Sequence, residues 1–137
     1  MRGLLDLENA SINFFNRCLR KTNQYSTKFI LQKVIRIQKK YISELKFDFQ
    51  QLDAAITDKF HASEDLYADL ETLFDLCTLT FLEATKISLR IAERQCSVYD
   101  KLLSNETNTF SQELLLQIID TKKRHIKALK EEFDHLR

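Results

Sequence analysis

A few polar side chains interrupt the apolar faces of regular helical patterns, and these side chains carry the chemistry that the chain can offer. Glu8 lies between apolar residues of its pattern, and Gln38 adjoins the apolar line that contains Tyr41. Lys122 and His125 lie three residues apart on another apolar line. Burying a charge is costly unless it is paired and hydrogen-bonded. The cluster therefore calls for an explanation.

Two interpretations of these residues stay open. In the first, they form a site in the core of a helical bundle, where glutamates and Glu-x-x-His pairs point inward and hold two irons. In the second, the true buried face of the helix is shifted by one residue from the apolar line described above, so some of these polar residues are not in the core. Lys122 would then lie at the boundary of the core with its amine in water, and His125 would be a hydrogen-bonded core or boundary histidine.

Other catalytic motifs are not supported. Cys18, Cys77 and Cys96 are isolated, so zinc ribbons built on Cys-x-x-Cys pairs are excluded. A phosphate-binding loop needs several glycines, and the chain has one, Gly3. The histidines lie near no motif that would form a Ser/His/Asp or Cys/His triad.

The elements that must position these residues are helices. The chain has no proline and one glycine, whereas sheets and hairpins rely on both at their turns. Long apolar patterns at spacings of three and four run over about 4–20, 26–52, 80–103 and 109–136. A shorter apolar pattern lies between the second and third of these, at 63–77.

Capping signals place the helix starts. Ser26 is the expected N-cap of the second helix. Thr80 with Glu83, and Thr109 with Gln112, have the spacing of capping boxes for the third and fourth helices. We expect an all-α, single-domain four-helix bundle over 1–137, with a short helix in the crossover between helices two and three.

Composition limits the function classes. The net charge is +1, from 21 basic and 20 acidic residues, so nucleic-acid binding is not expected. No apolar stretch reaches the ~18–20 residues that span a bilayer, so no membrane contact is expected either. The cytoplasm is the expected location.

The sequence also resembles a known family. The stretch LEATKISLRIAE at 82–93, continuing to Tyr99, resembles the third core helix of rubrerythrin-type proteins in the ferritin-like superfamily. There, a ligand glutamate precedes a tyrosine by seven residues. The stretch 116–129 resembles the helix with the second Glu-x-x-His, and Glu8 precedes Phe15 as the first-helix ligand precedes its aromatic residue. The resemblance implies a ferritin-like fold.

This resemblance implies six metal-ligand positions, and the chain keeps two of them, Glu8 and His125. Two irons need several carboxylates to balance their charge, and these positions supply one. The resemblance therefore implies a degenerate site with no bound cofactor. The remaining four ligand positions hold Gln38, Tyr41, Ala92 and Lys122.

A hypothesis follows for the residues that replace the ligands. Glu8 and Lys122 form a buried ion pair, with Gln38, Tyr41 and His125 as hydrogen-bond partners. The predicted core polar cluster consists of Glu8, Gln38, Tyr41, Tyr99, Lys122 and His125.

Three functions remain open. The first is a bundle without diiron catalysis that serves as a structural or protein-interaction module. The second is a metal binder or iron-dependent oxidoreductase with a relocated site, and the third is a helical adaptor that presents a groove to a partner helix. Donors for a relocated site would come from Glu44, Asp48, His61, Glu64, Asp69 and Glu93.

A homodimer and an unidentified protein partner are expected. Surplus apolar residues on outer faces would form a dimer seam or cover the crossover helix. They include Phe14, Phe29, Phe47, Phe49, Ile87, Ile91 and Phe133.

Overall fold

A computed structural model describes residues 3–56 and 80–135, and all regular secondary structure in these ranges is helical. The helices are α1 (Leu4–Lys21), α2 (Tyr25–Ile56), α3 (Phe81–Asn105) and α4 (Thr109–His135). They pack as a bundle, so the all-α prediction is confirmed. The predicted short helix at 63–77 lies outside the described residues.

Local capping explains where α3 and α4 begin. The predicted box at α3 is present: Thr80 Oγ1 accepts the Glu83 N–H at 3.2 Å, and the Glu83 carboxylate accepts the Thr80 N–H at 3.3 Å. At α4 the predicted cap Thr109 is wrong. Asn108 is the cap, because its Oδ1 accepts the Ser111 N–H at 3.1 Å and asparagine is the stronger N-cap residue.

The bounds of α2 also differ from the prediction. The helix begins at Tyr25, before the expected cap Ser26, and the Gln24 carbonyl accepts its first helical hydrogen bond. It continues to Ile56 instead of ending near Leu52. The first of the residues after Leu52, Asp53, contacts the start of α1 through hydrogen bonds to its backbone, which favours continuation of the helix there.

Contacts between helices set their directions. Asp53, near the end of α2, accepts hydrogen bonds from the N–H groups of Leu4 and Leu5 at 2.7 and 3.3 Å. α1 and α2 are therefore antiparallel. Lys33, in an early turn of α2, pairs with Glu132 near the end of α4, so α2 and α4 are antiparallel as well.

α2 and α3, by contrast, run parallel. Phe29 and Phe81, in the first turns of the two helices, line one pocket. Further along, the rings of Phe49 and Tyr99 lie with their centroids 6.0 Å apart. The chain thus leaves α2 at one end of the bundle and enters α3 at the other, as it does when two antiparallel hairpins are joined by a crossover.

Several of the apolar residues that were predicted to lie on the outer faces of the helices are buried inside the bundle. That assignment is wrong for Phe14, Phe49, Ile91 and Phe133, each of which is at most 5% exposed. A helix that packs against more than one neighbour buries a face wider than a single line of residues. Phe29 and Phe47 do lie outside, 47% and 67% exposed, and Ile87 is half-buried.

Candidate functional site

Glu8 on α1 and Lys122 on α4 face each other in the centre of the bundle. Lys122 Nζ lies 3.1 Å from each carboxylate oxygen of Glu8, and both side chains are fully buried. The geometry agrees with the buried ion pair expected from the sequence. The boundary position considered for Lys122, with its amine in water, is wrong.

Helical spacing places both charges on the buried faces of their helices. Each lies on a line of buried residues spaced three or four apart, so both point into the core. The line on α1 is Leu4, Glu8, Ser11 and Phe15, and that on α4 is Leu115, Ile118, Lys122, His125 and Leu129.

Gln38 on α2 joins the pair from a third helix. Its Nε2 lies 3.1 Å from Glu8 Oε2 and 3.3 Å from the Glu8 carbonyl oxygen, and it also contacts Ser11 Oγ. Ser11 Oγ donates in turn to the Glu8 carbonyl at 2.7 Å. Gln38 therefore has the hydrogen-bonding role expected for it.

Gln95 on α3 is a member that the sequence did not reveal. Its Oε1 accepts a hydrogen bond from Lys122 Nζ at 2.5 Å, and its Nε2 lies 3.2 Å from Ser11 Oγ. It is fully buried. The signal that would have found it is its spacing, three residues after Ala92 and four before Tyr99, both of which are buried.

Tyr99 completes the set as a donor to Glu8 Oε1. Burial raises the pKa of Tyr99 well above its ordinary value, and the negative charge of Glu8 raises it further. The phenol therefore keeps its proton at neutral pH and donates a hydrogen bond to the carboxylate. We call Glu8, Ser11, Gln38, Gln95, Tyr99 and Lys122 the Glu8–Lys122 cluster.

The positive charge of Lys122 and the negative charge of Glu8 compensate each other in this cluster. Burial lowers the pKa of Lys122, and the attraction of Glu8 opposes that shift. An ammonium has three N–H donors and no acceptor, and here the two oxygens of Glu8 and Oε1 of Gln95 are its acceptors. The pair is thus neutral overall and hydrogen-bonded, which a buried ion pair requires.

Tyr41 and His125 adjoin the cluster without entering its hydrogen-bond network. Their rings stack with centroids 4.9 Å apart and planes 14° apart, and Lys122 Nζ lies 4.7 Å from the Tyr41 ring centroid. Among the described residues, neither the Tyr41 hydroxyl nor either ring nitrogen of His125 has a hydrogen-bond partner. The expectation that both donate or accept hydrogen bonds around the ion pair is wrong, since they contribute ring contacts.

The protonation of both rings follows from their burial. Burial lowers the pKa of His125 to about 3, and the positive charge of Lys122 acts in the same direction. Burial also raises the pKa of Tyr41, with Glu8 adding to the effect. At neutral pH the imidazole is uncharged, with one N–H donor and one acceptor nitrogen, and the phenol is protonated.

The donor set does not fit the diiron centre that the family resemblance implies. The cluster offers one carboxylate, and the ammonium of Lys122 already lies against both of its oxygens. Across 3–56 and 80–135, no group of three or more histidine, cysteine, aspartate or glutamate side chains is placed to hold a metal ion. Among the donors considered for a relocated site, His61, Glu64 and Asp69 lie outside these ranges.

A pocket opens beside the cluster between α2 and α4, and we call it the α2–α4 pocket. Its volume is about 190 Å³. The polar side chains that line it are Lys40, Tyr41, Glu44, Thr121, Arg124 and His125.

Comparison with known proteins gives no match among protein-family models, curated proteins or solved structures. The resemblance to rubrerythrin-type proteins therefore stays a prediction. Within the described ranges, no helix is both long enough and apolar enough to cross a membrane.

Proposed function

We propose that this protein is a ferritin-like bundle of the rubrerythrin type that has lost diiron catalysis and acts as a structural or protein-interaction module. The observation that carries the proposal is the ammonium of Lys122, held by Glu8 and Gln95 in the centre of the bundle. A fixed positive charge at this point supplies internally the cation that the glutamate of such a core otherwise binds.

The directions of the helices support the same proposal. Ferritin-like bundles consist of two antiparallel helical hairpins joined by one long crossover. The parallel arrangement of α2 and α3, seen in the Phe49–Tyr99 contact, is compatible with that connectivity.

The exposed aromatic residues of α2 support a role in protein interaction. Phe29 and Phe47 are 47% and 67% exposed. They lie 18 residues apart, which is five helical turns, so both project from the same side of α2. We propose that this side forms a homodimer contact in the cytoplasm or receives another protein.

Iron loading tests the loss of diiron chemistry. The purified protein is incubated with Fe(II) without oxygen, desalted and assayed for metal, then exposed to air while its visible spectrum is recorded. We expect no retained iron and no absorption from an oxidised iron centre. A variant with Glu8→Gln, Lys122→Met and His125→Phe, treated identically, is the control for adventitious binding, because it removes both candidate ligands without leaving an unpaired buried charge.

Stoichiometric iron in the unmodified protein that is lost in this control would contradict the proposal. Glu8 and His125 would then be working ligands, and an oxidoreductase with a remodelled site would be the better description.

A further inference from the structure

The α2–α4 pocket contains polar groups that the protein leaves without partners. Tyr41 and His125 are only 4% and 5% exposed, yet the hydroxyl and both imidazole nitrogens have no hydrogen-bond partner among the described residues. Buried polar groups are nearly always hydrogen-bonded. Both side chains line the pocket, and a molecule bound there would supply the missing partners once the rings turn to uncover these atoms.

The charges around the pocket favour an anion. Lys40 and Arg124 contribute two positive charges, and Glu44 contributes one negative charge. The guanidinium of Arg124 contacts another lining residue, because its Nη2 donates to Thr121 Oγ1 at 2.9 Å. Arg124 also lies 3.6 Å from the exposed Asp120, a surface pair that contributes little. The lining carries one net positive charge, which a monoanion would balance.

The two buried rings at the pocket wall carry both donors and acceptors. The protonated hydroxyl of Tyr41 is a donor, and the neutral ring of His125 has one donor and one acceptor nitrogen. The carboxylate of Glu44 is a second acceptor. A ligand that satisfies all of these groups carries acceptor oxygens together with a hydroxyl donor.

The size and the remaining wall restrict the ligand further. A volume of about 190 Å³ is below the ~300–1,000 Å³ of pockets that hold drug-sized molecules. Ile37 and Ala128 supply an apolar side. A short hydrocarbon portion fits this side better than a fully polar ion such as phosphate does.

We propose that the α2–α4 pocket binds a small hydroxycarboxylate. Its carboxylate lies against Arg124 and the donors of the two rings, its hydroxyl against the acceptor nitrogen of His125, and its carbon chain against Ile37. Guanidinium groups bind carboxylates through charge-assisted and often bidentate hydrogen bonds. This assignment uses no group of the Glu8–Lys122 cluster, and it shares only His125 with the ligand positions changed in the iron-loading test.

Histidine ring signals of the full-length protein provide the test. Lactate, propionate and inorganic phosphate are titrated separately while the imidazole ¹H–¹³C resonances are recorded by NMR, with the His125 signal assigned from a His125→Phe variant. We expect lactate to shift the His125 signal saturably and to bind more tightly than propionate or phosphate. His135, exposed at the end of α4, should not respond.

Two variants localise the binding. Arg124→Gln removes the exposed guanidinium, and its affinity for lactate should fall about tenfold or more, as expected for loss of a hydrogen bond to a charged group. Lys123→Gln removes the same charge from the neighbouring exposed residue, which does not line the pocket, and should bind lactate normally. The proposal is overturned if lactate leaves the His125 signal unchanged, if propionate or phosphate binds as tightly, or if the two variants lose affinity equally.

Discussion

The ammonium of Lys122 is buried away from water, so the stability of the fold depends on each hydrogen-bond acceptor around it. Glu8 balances its charge, and Gln95 accepts the remaining hydrogen bond. In such a pair, loss of one partner costs far more than loss of both, because the surviving charge stays buried without compensation.

Lys122→Met should destabilise the protein strongly. Methionine replaces the aliphatic stem but leaves Glu8 as an uncompensated buried carboxylate, so we expect the free energy of unfolding to fall by about 3–5 kcal/mol. Urea denaturation followed by circular dichroism measures this change.

A double variant supplies the control for that measurement. Glu8→Gln with Lys122→Met removes both charges and should recover much of the lost stability, giving a coupling energy well above zero in the double-mutant cycle. Additive effects of the two substitutions would show that the ion pair does not stabilise the core.

His125 makes stability depend on acidity. Its folded-state pKa of about 3 lies below the ordinary value of 6.5, so between these values the unfolded chain binds a proton that the folded protein does not. Stability should therefore fall as the pH is lowered from 6.5 toward 3, with a contribution approaching ~1.4 kcal/mol per pH unit. Urea unfolding at several pH values measures the slope.

The matching variant is His125→Phe, which keeps a ring against Tyr41 and removes the titrating group. Its free energy of unfolding should fall less steeply with decreasing pH than that of the unmodified protein. His135→Phe changes the exposed histidine instead and should leave the slope as it was. Equal slopes in the unmodified protein and His125→Phe would refute the assignment.

Part of this site could be read from the sequence. Glu8 and Lys122 were visible because a charge interrupts an apolar line, which is rare unless the charge is paired. Gln95 was not visible, because an uncharged amide at a helix position is ordinary and the periodicity of α3 allows more than one inward line. The stacking of Tyr41 on His125 depends on side-chain conformations that spacing does not determine.

At the scale of the helices, α1 obtains its N-terminal cap from another element. The Asp53 carboxylate on α2 accepts the Leu4 and Leu5 N–H groups. Gly3 leaves room for it, since a Cβ at that position would lie 2.5 Å from Asp53 Oδ2. The contact joins the start of α1 to the end of α2.

Asp53→Ala should therefore loosen the start of α1. Two backbone donors lose their acceptor, and we expect a loss of about 1 kcal/mol in the free energy of unfolding, typical of a removed N-cap. Amide hydrogen exchange should accelerate at Leu4 and Leu5. Gln51→Ala, an exposed substitution in the same helix, should change neither quantity, and a similar effect from it would contradict the capping role.

Helix ends were predictable where their cause is local. The Thr80 and Glu83 side chains and their backbone partners lie within one turn, so the sequence contained the whole signal for α3. The end of α2 was placed too early because its cause is the contact between Asp53 and α1, far away along the chain. The start of α4 is predicted one residue too late, because Thr109 with Gln112 has the spacing of a capping box whereas the side chain that caps the helix is that of Asn108.

At the scale of the whole molecule, periodicity shows that a residue is buried but not which helix covers it. Phe14 and Phe49 were therefore assigned to outer faces although neighbouring helices bury them. The parallel course of α2 and α3 follows from contacts between distant segments, such as Phe49 with Tyr99. No single helical pattern carries that information.

The proposed dimer contact can be tested on α2. Phe47→Glu places a charge at the more exposed of the two phenylalanines on this side of α2 and should shift the protein toward monomer in sedimentation equilibrium, while its circular dichroism spectrum stays helical. Leu116→Glu, at a 55% exposed position on α4, is the matched control and should not change the mass. A monomeric unmodified protein would rule out the homodimer.

The Glu8–Lys122 pair also has a consequence for how the chain matures during synthesis. Its members are separated by 114 positions, so the ribosome completes α1, α2 and α3 before the ammonium that neutralises Glu8 exists. At ~5–20 residues per second, the nascent chain spends several seconds or more without it. The hairpin of α1 and α2 can collapse in that time, but Glu8 must stay hydrated until its partner is available. The core around Glu8 therefore closes only after α4 has been synthesised.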